Sequence, residues 1–160
     1  MLRKKNPQRK SWDNYFLDLA KLVSTRATCD RLRVGAVIVK DRRILATGYN
    51  GSLPGASHCD LVGHLLVHDH CVRTVHAEIN AITQAAKNGT KITGSTIYIT
   101  HSPCINCFKA IVSSQVKKII FTETYKLTDE DIKLYKDLVG FDGKDCNWEI
   151  IPGSHVWSYL

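Results

Sequence analysis

Two short motifs constrain this chain more than any other feature of its sequence. One is the His-Ala-Glu triplet that begins at His76, and the other is the Pro-Cys-Ile-Asn-Cys stretch from Pro103 to Cys107. Each motif opens a segment with the apolar spacing of a helix. The two cysteines are three positions apart, so one face of a helix can direct both sulfur atoms at a single ion. The motifs therefore predict a metal site at the start of two helices, with three protein ligands and an open fourth position.

The residue types in these motifs fit catalysis with Zn²⁺. We expect His76, Cys104 and Cys107 to be the ligands, because a helix N-terminus favours thiolates and two thiolates offset the charge of the ion. Zinc lowers the pKa of bound water to about 7, which makes hydroxide available at neutral pH. Glu78 lies in the same first helical turn as His76, where a carboxylate can move a proton from water to a leaving amine. Alone, the cysteine pair would also fit half of a zinc ribbon or a redox pair.

The composition is that of an ordinary globular protein, with 44% hydrophobic and 23% charged residues. The length of 160 residues fits one domain, which we expect at 11–160. No apolar run is long enough for a membrane span, and the chain does not begin like a signal peptide, so we expect a cytoplasmic protein. In a reducing compartment, the six cysteines predict metal ligands instead of disulfides.

The formal net charge of +7 predicts an anionic ligand, either a phosphate-bearing small molecule or a nucleic acid. Five of the positive charges lie within residues 1–10. We expect this segment to be a flexible basic arm. We favour a solvated terminus over a tail that binds nucleic acid.

Helical and strand patterns alternate along most of the chain. Helices are predicted at 11–28, 76–88, 104–114 and 128–139, and strands at 34–39, 43–49, 96–100, 118–122 and 148–151. A tight hairpin turn joins the first two strands, and residues 50–74 are expected to be irregular. This order predicts an α/β fold, a three-layer α-β-α sandwich with a mixed central sheet. Sites in such folds form where strands end and helices begin, as both motifs do.

A second group of metal-binding residue types surrounds the long segment 50–74. The cysteines are Cys29, Cys59 and Cys71, and several histidines accompany them. A closed tetrahedral zinc would explain how such a segment is ordered. We expect the ligands to be the three cysteines and His64, with His70 as the alternative fourth, since adjacent His70 and Cys71 seldom reach one ion. Three buried free thiols remain the other interpretation, and Cys146 is expected to be a small apolar residue.

Three segments extend the pattern beyond the metal motifs: VGAVIV at 34–39, GYNG at 48–51 and RTVHAEINAI at 73–82. Over residues 11–151 the chain resembles the deoxycytidylate (dCMP) deaminases of bacteria and phages, which belong to the cytidine deaminase superfamily. The resemblance implies a cytidine-deaminase-like fold and hydrolysis of dCMP to dUMP and ammonia, which supplies thymidylate synthesis. It also implies a homo-oligomer, commonly a hexamer, activated by dCTP and inhibited by dTTP. Some microbial and phage members carry a structural zinc in the region of residues 50–74.

The resemblance also suggests residues that bind substrate or effector. The family uses the GYNG segment for nucleotide and effector binding, which assigns that role to Asn50 and Gly51, although such a segment is also an ordinary turn. Arginine binds phosphate in a bidentate manner, so Arg26 and Arg73 are candidates for the nucleotide phosphate. Tyr125 is a third candidate, because family members place an aromatic residue near the substrate there. A solvated or packing role is the alternative for each of these three side chains.

Three other functions stay open. A deaminase of polynucleotides, acting on adenosine in tRNA or cytosine in single-stranded DNA, fits the charge, but the chain lacks a basic stripe interleaved with aromatic residues. Free cytidine or deoxycytidine is another possible substrate, which a required 5′-phosphate would exclude. A non-catalytic zinc-binding module is the third, although a purely structural zinc has no need of Glu78.

Overall fold

The computed structural model describes residues 9–125, 128–138 and 149–152. The helices are α1 (Trp12–Ser24), α2 (Cys59–Val62), α3 (Ala77–Lys87), α4 (Ile105–Ser113) and α5 (Asp129–Leu138). The strands are β1 (Gly35–Lys40), β2 (Arg43–Tyr49), β3 (Gly51–Ser52), β4 (Leu66–Val67), β5 (His70–Cys71), β6 (Thr74–Val75), β7 (Thr96–His101), β8 (Lys118–Glu123) and β9 (Glu149–Pro152). In these three stretches, every helix is too short or too polar to cross a bilayer.

One mixed sheet organises the fold, with five strands in the order β2-β1-β7-β8-β9. Strand β1 is antiparallel to both of its neighbours, whereas β8 is parallel to β7 and β9. Parallel neighbours need a crossover connection, and α4 supplies it between β7 and β8. The arrangement puts the start of α4 at the carboxyl end of β7, where sites form in open α/β sheets.

Helices cover both faces of this sheet. Phe16 and Ala20 of α1 pack on one face against Val37 and Tyr98. Helices α3, α4 and α5 pack on the opposite face, where their buried side chains are Ala77, Ala81, Ala85, Phe108, Ile111 and Tyr135. The predicted three-layer α-β-α sandwich with a mixed sheet is confirmed.

Two glycines let helices lie directly against the strands. A Cβ atom at Gly48 of β2 would stand 2.2 Å from the carbonyl oxygen of Ala77, and one at Gly35 of β1 would stand 2.0 Å from that of Ala20. Because a side chain at Gly48 would push α3 away, this glycine fixes the first turn of α3 against the sheet. That turn carries the His-Ala-Glu motif.

The predicted first helix is wrong at its C-terminal end, since α1 stops at Ser24 instead of continuing to 28. The hydroxyls of Ser24 and Thr25 donate to the carbonyls of Lys21 and Leu22, each at 2.7 Å. These bonds compete with the helical pattern of the backbone and close the last turn. The chain then turns toward Cys29. A helix that continued to 28 would have placed this cysteine elsewhere.

The other elements follow the prediction within one or two residues. In the hairpin turn between β1 and β2, Asp41 and Arg42 have φ values of 50° and 62°. Segment 50–74 is largely irregular, but it contains α2 and two short ladders, β3 with β6 and β4 with β5. The predicted end of the last helix at 139, residue Cys146, the start of the last strand at 148 and nearly all of the basic arm lie outside the described residues.

Candidate metal centre and active-site cleft

Three ligand side chains meet where α3 and α4 begin. His76 is the N-cap residue of α3 and Cys104 that of α4, and both have extended backbone dihedral angles. Neither side chain caps its own helix by a hydrogen bond. Instead, the Nδ1 atom of His76 lies 3.6 Å from the Cys104 sulfur and 3.3 Å from the Cys107 sulfur. The ligand atoms all lie within 4.8 Å of one another, a spacing that one metal ion can bridge.

Electrostatics within this cluster favour a cation. A hydrogen bond from Cys107, helped by His76, lowers the pKa of Cys104 to about 3, so this sulfur is a thiolate at neutral pH. The same interaction with Cys104, together with burial, raises the pKa of Cys107. The hydrogen bond with Cys104 also raises the pKa of His76. A bound divalent cation would favour the thiolate form of Cys107 as well, so the donor set fits Zn²⁺.

Glu78 lies beside the three ligands and is almost fully buried, at 4% exposure. Burial is the main cause that raises the pKa of its carboxyl group, because a charge is poorly solvated there. The side chain also interacts by a hydrogen bond with Cys107. A buried carboxyl group with a raised pKa next to a metal site can hold a proton and release it during a reaction.

The structure brings together Cys29, Cys59, His64 and Cys71 in a second cluster, with all ligand atoms within 4.8 Å of one another. The sulfur of Cys29 is 3.6 Å from Nδ1 of His64, and the sulfurs of Cys59 and Cys71 are 3.6 Å apart. On the other side of its ring, His64 pairs through Nε2 with Asp30 at 3.2 Å. A carboxylate on the second ring nitrogen is the usual support of a histidine that binds metal.

The thiols of this second cluster are unequal. Burial raises the pKa of Cys59 to about 12. Burial also opposes ionisation of Cys71, but backbone N–H groups of Arg73 and Leu65 outweigh it and lower its pKa to about 6. The five described cysteines, which include all those of both clusters, form no disulfide. Each cluster therefore offers free sulfur ligands.

A cleft runs between the two clusters. The lining residues that belong to the first cluster or lie near it in the sequence or the fold are His76, Ala77, Glu78, His101, Ser102, Cys104 and Tyr125. The remaining lining residues, which include two members of the second cluster, are Cys29, Arg31, Leu32, Val34, Asn50, Asp69, His70, Cys71 and Thr74. His70, the alternative fourth ligand, thus faces the cleft, whereas His64 lies in the second cluster.

The candidate substrate residues are distributed unevenly around this cleft. Asn50 and Tyr125 line it, and Gly51 lies next to Asn50 in β3, paired with Val75. Arg26 is exposed, and Arg73 donates from Nε to the Gly63 carbonyl at 3.1 Å. Neither arginine is among the residues that line the cleft. The structure thus keeps the two predicted arginines away from the cleft, because one lies in the turn after α1 and the other is held by the loop after α2.

Asn50 connects the cleft wall to the sheet. Its Oδ1 accepts from the Val34 N–H at 2.7 Å and its Nδ2 donates to the Leu32 carbonyl at 2.8 Å. Its backbone also pairs with Val34 and Thr28. These bonds fix the segment that carries Cys29, so Asn50 has a structural role besides its place in the cleft.

Several residues at the site were missed by the sequence analysis. Ser102 accepts from the Tyr125 N–H at 2.8 Å, and Tyr135 of α5 donates to the Pro103 carbonyl at 2.9 Å. His101 pairs through Nε2 with Glu123 at 3.2 Å. Arg31 also lines the cleft. The position of His101 and Ser102 directly before Pro103 was a usable signal, whereas Tyr135 reaches the motif only through the fold.

Residues 10–123 match the profile of a family described as the cytidine and deoxycytidylate deaminase zinc-binding region. The chain belongs to this family. It is therefore a member of a group of zinc-dependent hydrolytic deaminases, and the cytidine-deaminase-like fold expected from the sequence is confirmed. The His76, Cys104 and Cys107 cluster lies inside the matched range.

Individual relatives agree with this membership. The chain is 49% identical to ComE operon protein 2 of Bacillus subtilis over 119 residues, which cover 74% of this chain and 63% of that protein's length. It is 35% identical to the deoxycytidylate deaminase of Enterobacteria phage T2, covering 84% of this chain and 94% of that one. A crystal structure of the dCMP deaminase from cyanophage S-TIM5, in complex with dCMP and dUMP, aligns with a TM-score of 0.71 at 32% identity. That alignment covers 89% of this chain and 98% of the cyanophage chain.

Proposed function

We propose that this protein hydrolyses dCMP to dUMP and ammonia. The observation that carries the proposal is the buried Glu78 beside three metal-ligand side chains on the wall of an open cleft. The similarity to phage deoxycytidylate deaminases, one of them solved with dCMP and dUMP, supports this substrate.

His76, Cys104 and Cys107 would hold a catalytic Zn²⁺, and the donor set fits it, with two sulfurs and one imidazole nitrogen within 4.8 Å. When bound, the ion supplies Lewis-acid activation of water at neutral pH. The three ligands leave one position for that water, which a structural site would fill with a fourth side chain.

Glu78 moves the protons of the reaction. In the proposed sequence its carboxylate takes a proton from the attacking water and gives it to the ring nitrogen next to the C4 carbon. A second proton transfer through Glu78 reaches the amino group, which leaves as ammonia, so that water and dCMP become dUMP and ammonia. The raised pKa of Glu78, caused mainly by burial, favours its holding a proton between the two transfers.

The second cluster would hold a structural Zn²⁺ through Cys29, Cys59, His64 and Cys71. Four donors within 4.8 Å and the Asp30 carboxylate on His64 support this assignment. Such an ion would anchor segment 50–74, whose regular structure consists of a short helix and four two-residue strands. Metal analysis of the purified protein tests the assignment, with two zinc ions per chain expected and one ion contradicting it.

A homo-oligomer, with a hexamer as the expected size, is part of the proposal. Seven large aliphatic side chains of segment 53–72 are about half exposed or more: Leu53, Leu61, Val62, Leu65, Leu66, Val67 and Val72. A monomer rarely leaves so many apolar side chains in water, which supports contact between copies of the chain.

We also propose that dCTP activates the enzyme and that dTTP inhibits it. We propose a cytoplasmic location as well, and the free thiols of the described cysteines support this location.

Ammonia release tests the proposed reaction. The zinc-loaded protein is given dCMP, deoxycytidine, dCTP or a cytosine-containing single strand, each with and without dCTP or dTTP as effector. We expect turnover of dCMP and a response to the two triphosphates. Activity on the strand but not on dCMP would overturn the substrate and leave a polynucleotide deaminase.

A further inference from the structure

The end of the central sheet that lies farthest from the cleft carries several basic residues. Strand β7 runs from Thr96 to His101, which lines the cleft, so its first residue lies about 17 Å from that site. Strand β1 is antiparallel to β7, so its last residue, Lys40, lies at the far end. Lys40 is paired in register with Arg43 of β2, and Arg42 belongs to the hairpin turn between them. These basic residues are therefore separated from the candidate active site by the length of the sheet.

Two lysines in neighbouring connections extend the positive charge along this end. The Nζ atom of Lys40 donates to the Thr93 carbonyl at 2.8 Å, which holds the loop before β7 beside β1. Lys91 lies two residues before Thr93 in that loop. Lys117 lies directly before β8, and its backbone N–H donates to the Ser95 carbonyl at 2.8 Å. The basic side chains of the hairpin and of the two connections thus follow one end of the sheet.

Most of these basic side chains have no acidic partner. In the described part of the chain, four of them are exposed and take part in no ion pair: Arg42, Arg43, Lys91 and Lys117. Two acidic residues, Asp41 and Glu149, lie at the same end and are outnumbered. Like charges held together repel one another, and a bound polyanion would remove this repulsion.

The hairpin turn holds Arg42 in a conformation that does not suit it. Its φ is 62°, and Asp41 before it has a φ of 50°. The second position of such a two-residue turn favours glycine, because a Cβ atom is crowded at positive φ. An arginine there costs backbone energy that a glycine would avoid. Proteins keep such residues mainly where the side chain is used, which points to a ligand of the guanidinium.

Two exposed aromatic rings of α1 adjoin the hairpin. The guanidinium carbon of Arg42 lies 5.1 Å from the centroid of the Trp12 ring, and Tyr15 meets Trp12 edge-on with centroids 5.9 Å apart. Trp12 is 50% exposed and Tyr15 is 46% exposed. The first ten residues of the sequence, which contain five positive charges, are joined to α1 directly before Trp12. The fold thus assembles a basic–aromatic patch, which consists of Trp12, Tyr15, Arg42, Arg43, Lys91 and Lys117.

We propose that the basic–aromatic patch binds single-stranded nucleic acid without sequence preference. Lysine and arginine side chains hold the phosphates of such a strand, and its unpaired bases stack on aromatic rings and guanidinium groups. A duplex keeps its bases stacked inside, and a membrane of anionic lipids offers no base for Trp12 and Tyr15. Because the patch and the cleft lie at opposite ends of the sheet, the bound strand is a second ligand and not the substrate. The inference is independent of the proposed deamination of dCMP.

The test measures binding of a fluorescent oligothymidylate by anisotropy, at several salt concentrations between about 50 and 200 mM. This probe has no cytosine, so the enzyme cannot deaminate it. A duplex of the same length and vesicles of phosphatidylcholine with phosphatidylserine are the probes for the two other polyanions. Saturating dCMP is added to one series. Zinc content, Tm and dCMP turnover are recorded for every protein.

Three variants change the patch, and a fourth serves as the charge-matched control. Arg42→Gly removes the guanidinium at a φ that suits glycine, so its Tm should stay at least as high as that of the wild type. Arg43→Gln with Lys117→Gln removes two charges, and Trp12→Ala removes a ring. The control, Arg33→Gln with Lys133→Gln, removes two exposed charges elsewhere on the surface.

The wild-type protein should bind the oligothymidylate more tightly than the duplex, and dCMP should not displace it. Each lost phosphate contact should reduce the slope of log affinity against log salt by about 0.7, so the patch double variant should lose about 1.4. Trp12→Ala should weaken binding of the single strand by about 5- to 100-fold. Arg42→Gly should weaken it with Tm preserved. The control should match the wild type, and all four variants should keep dCMP turnover.

Four results would overturn the inference. One is that the wild-type protein does not bind the oligothymidylate at the lowest salt concentration. Another is that the control double variant weakens binding as much as the patch double variant, which would show an effect of net charge alone. If the duplex or the vesicles bind more tightly than the single strand, the patch faces one of those partners instead. If dCMP displaces the strand, the strand occupies the cleft. Because dCMP turnover is measured separately, each result leaves the proposed function to its own test.

Discussion

The two cysteine–histidine clusters have similar spacing and differ in almost everything that surrounds them. The first, His76 with Cys104 and Cys107, lies at the N-termini of two helices that pack on the central sheet. The second lies on irregular chain, in which Cys59 opens a helix of four residues and Cys71 belongs to a strand of two. Rigid elements therefore position the first cluster, whereas the ion proposed for the second cluster would hold its own surroundings together.

The carboxylates beside the clusters differ as well. Glu78 is buried next to the three ligands of the first cluster, where it can exchange protons with a bound water. Asp30 is exposed and contacts the far nitrogen of His64, where it can only orient a ligand. Three donors with a buried acid suit catalysis, and four donors with a supporting carboxylate suit a structural ion.

The largest effect is expected from Cys104→Ser, which removes a ligand of the first cluster. Serine is a favoured N-cap residue, so α4 should keep its start and the protein should fold normally. Loss of a ligand should exceed the 10- to 100-fold effect of losing a supporting residue, so dCMP turnover should fall more than about 100-fold. An ammonia assay with metal analysis checks this, and one zinc per chain should remain. Wild-type activity in Cys104→Ser would exclude the first cluster as the catalytic centre.

Cys59→Ser should lower the stability of the protein more than it lowers the turnover of dCMP. Weakening zinc binding by about 100-fold removes roughly 3 kcal/mol of folding free energy, which lowers Tm by about 5–11 °C for a chain of this size. Activity at low temperature should be largely kept, because the first cluster remains complete. Calorimetry with excess zinc measures the shift, and an unchanged Tm would exclude Cys59 as a ligand of a metal ion at the second cluster.

Asp30→Ala should weaken zinc binding at the second cluster by about 10-fold, since the His64 ring loses the partner that orients it. A competition titration with a chelator measures the affinity of each site. Asp60→Ala is the matched control, because Asp60 is an exposed carboxylate beside Cys59 that faces His58 and not His64. Equal affinities in Asp30→Ala and Asp60→Ala would show that Asp30 does not support the site.

Tyr135→Phe should have the smallest effect. Its hydroxyl donates to the Pro103 carbonyl while its ring stacks on Phe108, with centroids 4.4 Å apart. Removing the hydroxyl should cost about 0.5–1.5 kcal/mol of stability and reduce turnover less than Cys104→Ser does. Denaturant unfolding measures the loss, with the exposed Tyr15→Phe as control. A loss of activity as large as that of Cys104→Ser would give Tyr135 a role in the chemistry.

The sequence predicted the sheet and the helices well because these depend on local patterns. The apolar run at 34–39 and the helical spacing of the segments that the two metal motifs open are visible without the fold. The end of α1 was missed because the hydroxyls of Ser24 and Thr25 close the helix. Single hydrogen bonds of this kind decide where a helix ends, and the apolar spacing does not show them.

The residues that come together in the two cysteine–histidine clusters could be named from spacing and residue type, whereas only some of those that line the cleft could. Arg26 and Arg73 have the right chemistry and lie away from the cleft, whereas Arg31 reaches it because Cys29 and Asn50 fix its segment. Tyr135 contacts Pro103 across 32 positions of sequence. Such positions depend on tertiary contacts between distant residues, which periodicity does not encode.

The central claim is that Glu78 moves protons at the first cluster. The most direct measurement is dCMP turnover by Glu78→Gln, with metal content determined on the same sample. The amide keeps the shape and hydrogen bonding of the side chain, so we expect wild-type zinc content and an unchanged fold. The rate should fall by about 100- to 10,000-fold, the contribution of a positioned acid–base group. A zinc-loaded Glu78→Gln variant that deaminates dCMP at the wild-type rate would contradict the claim.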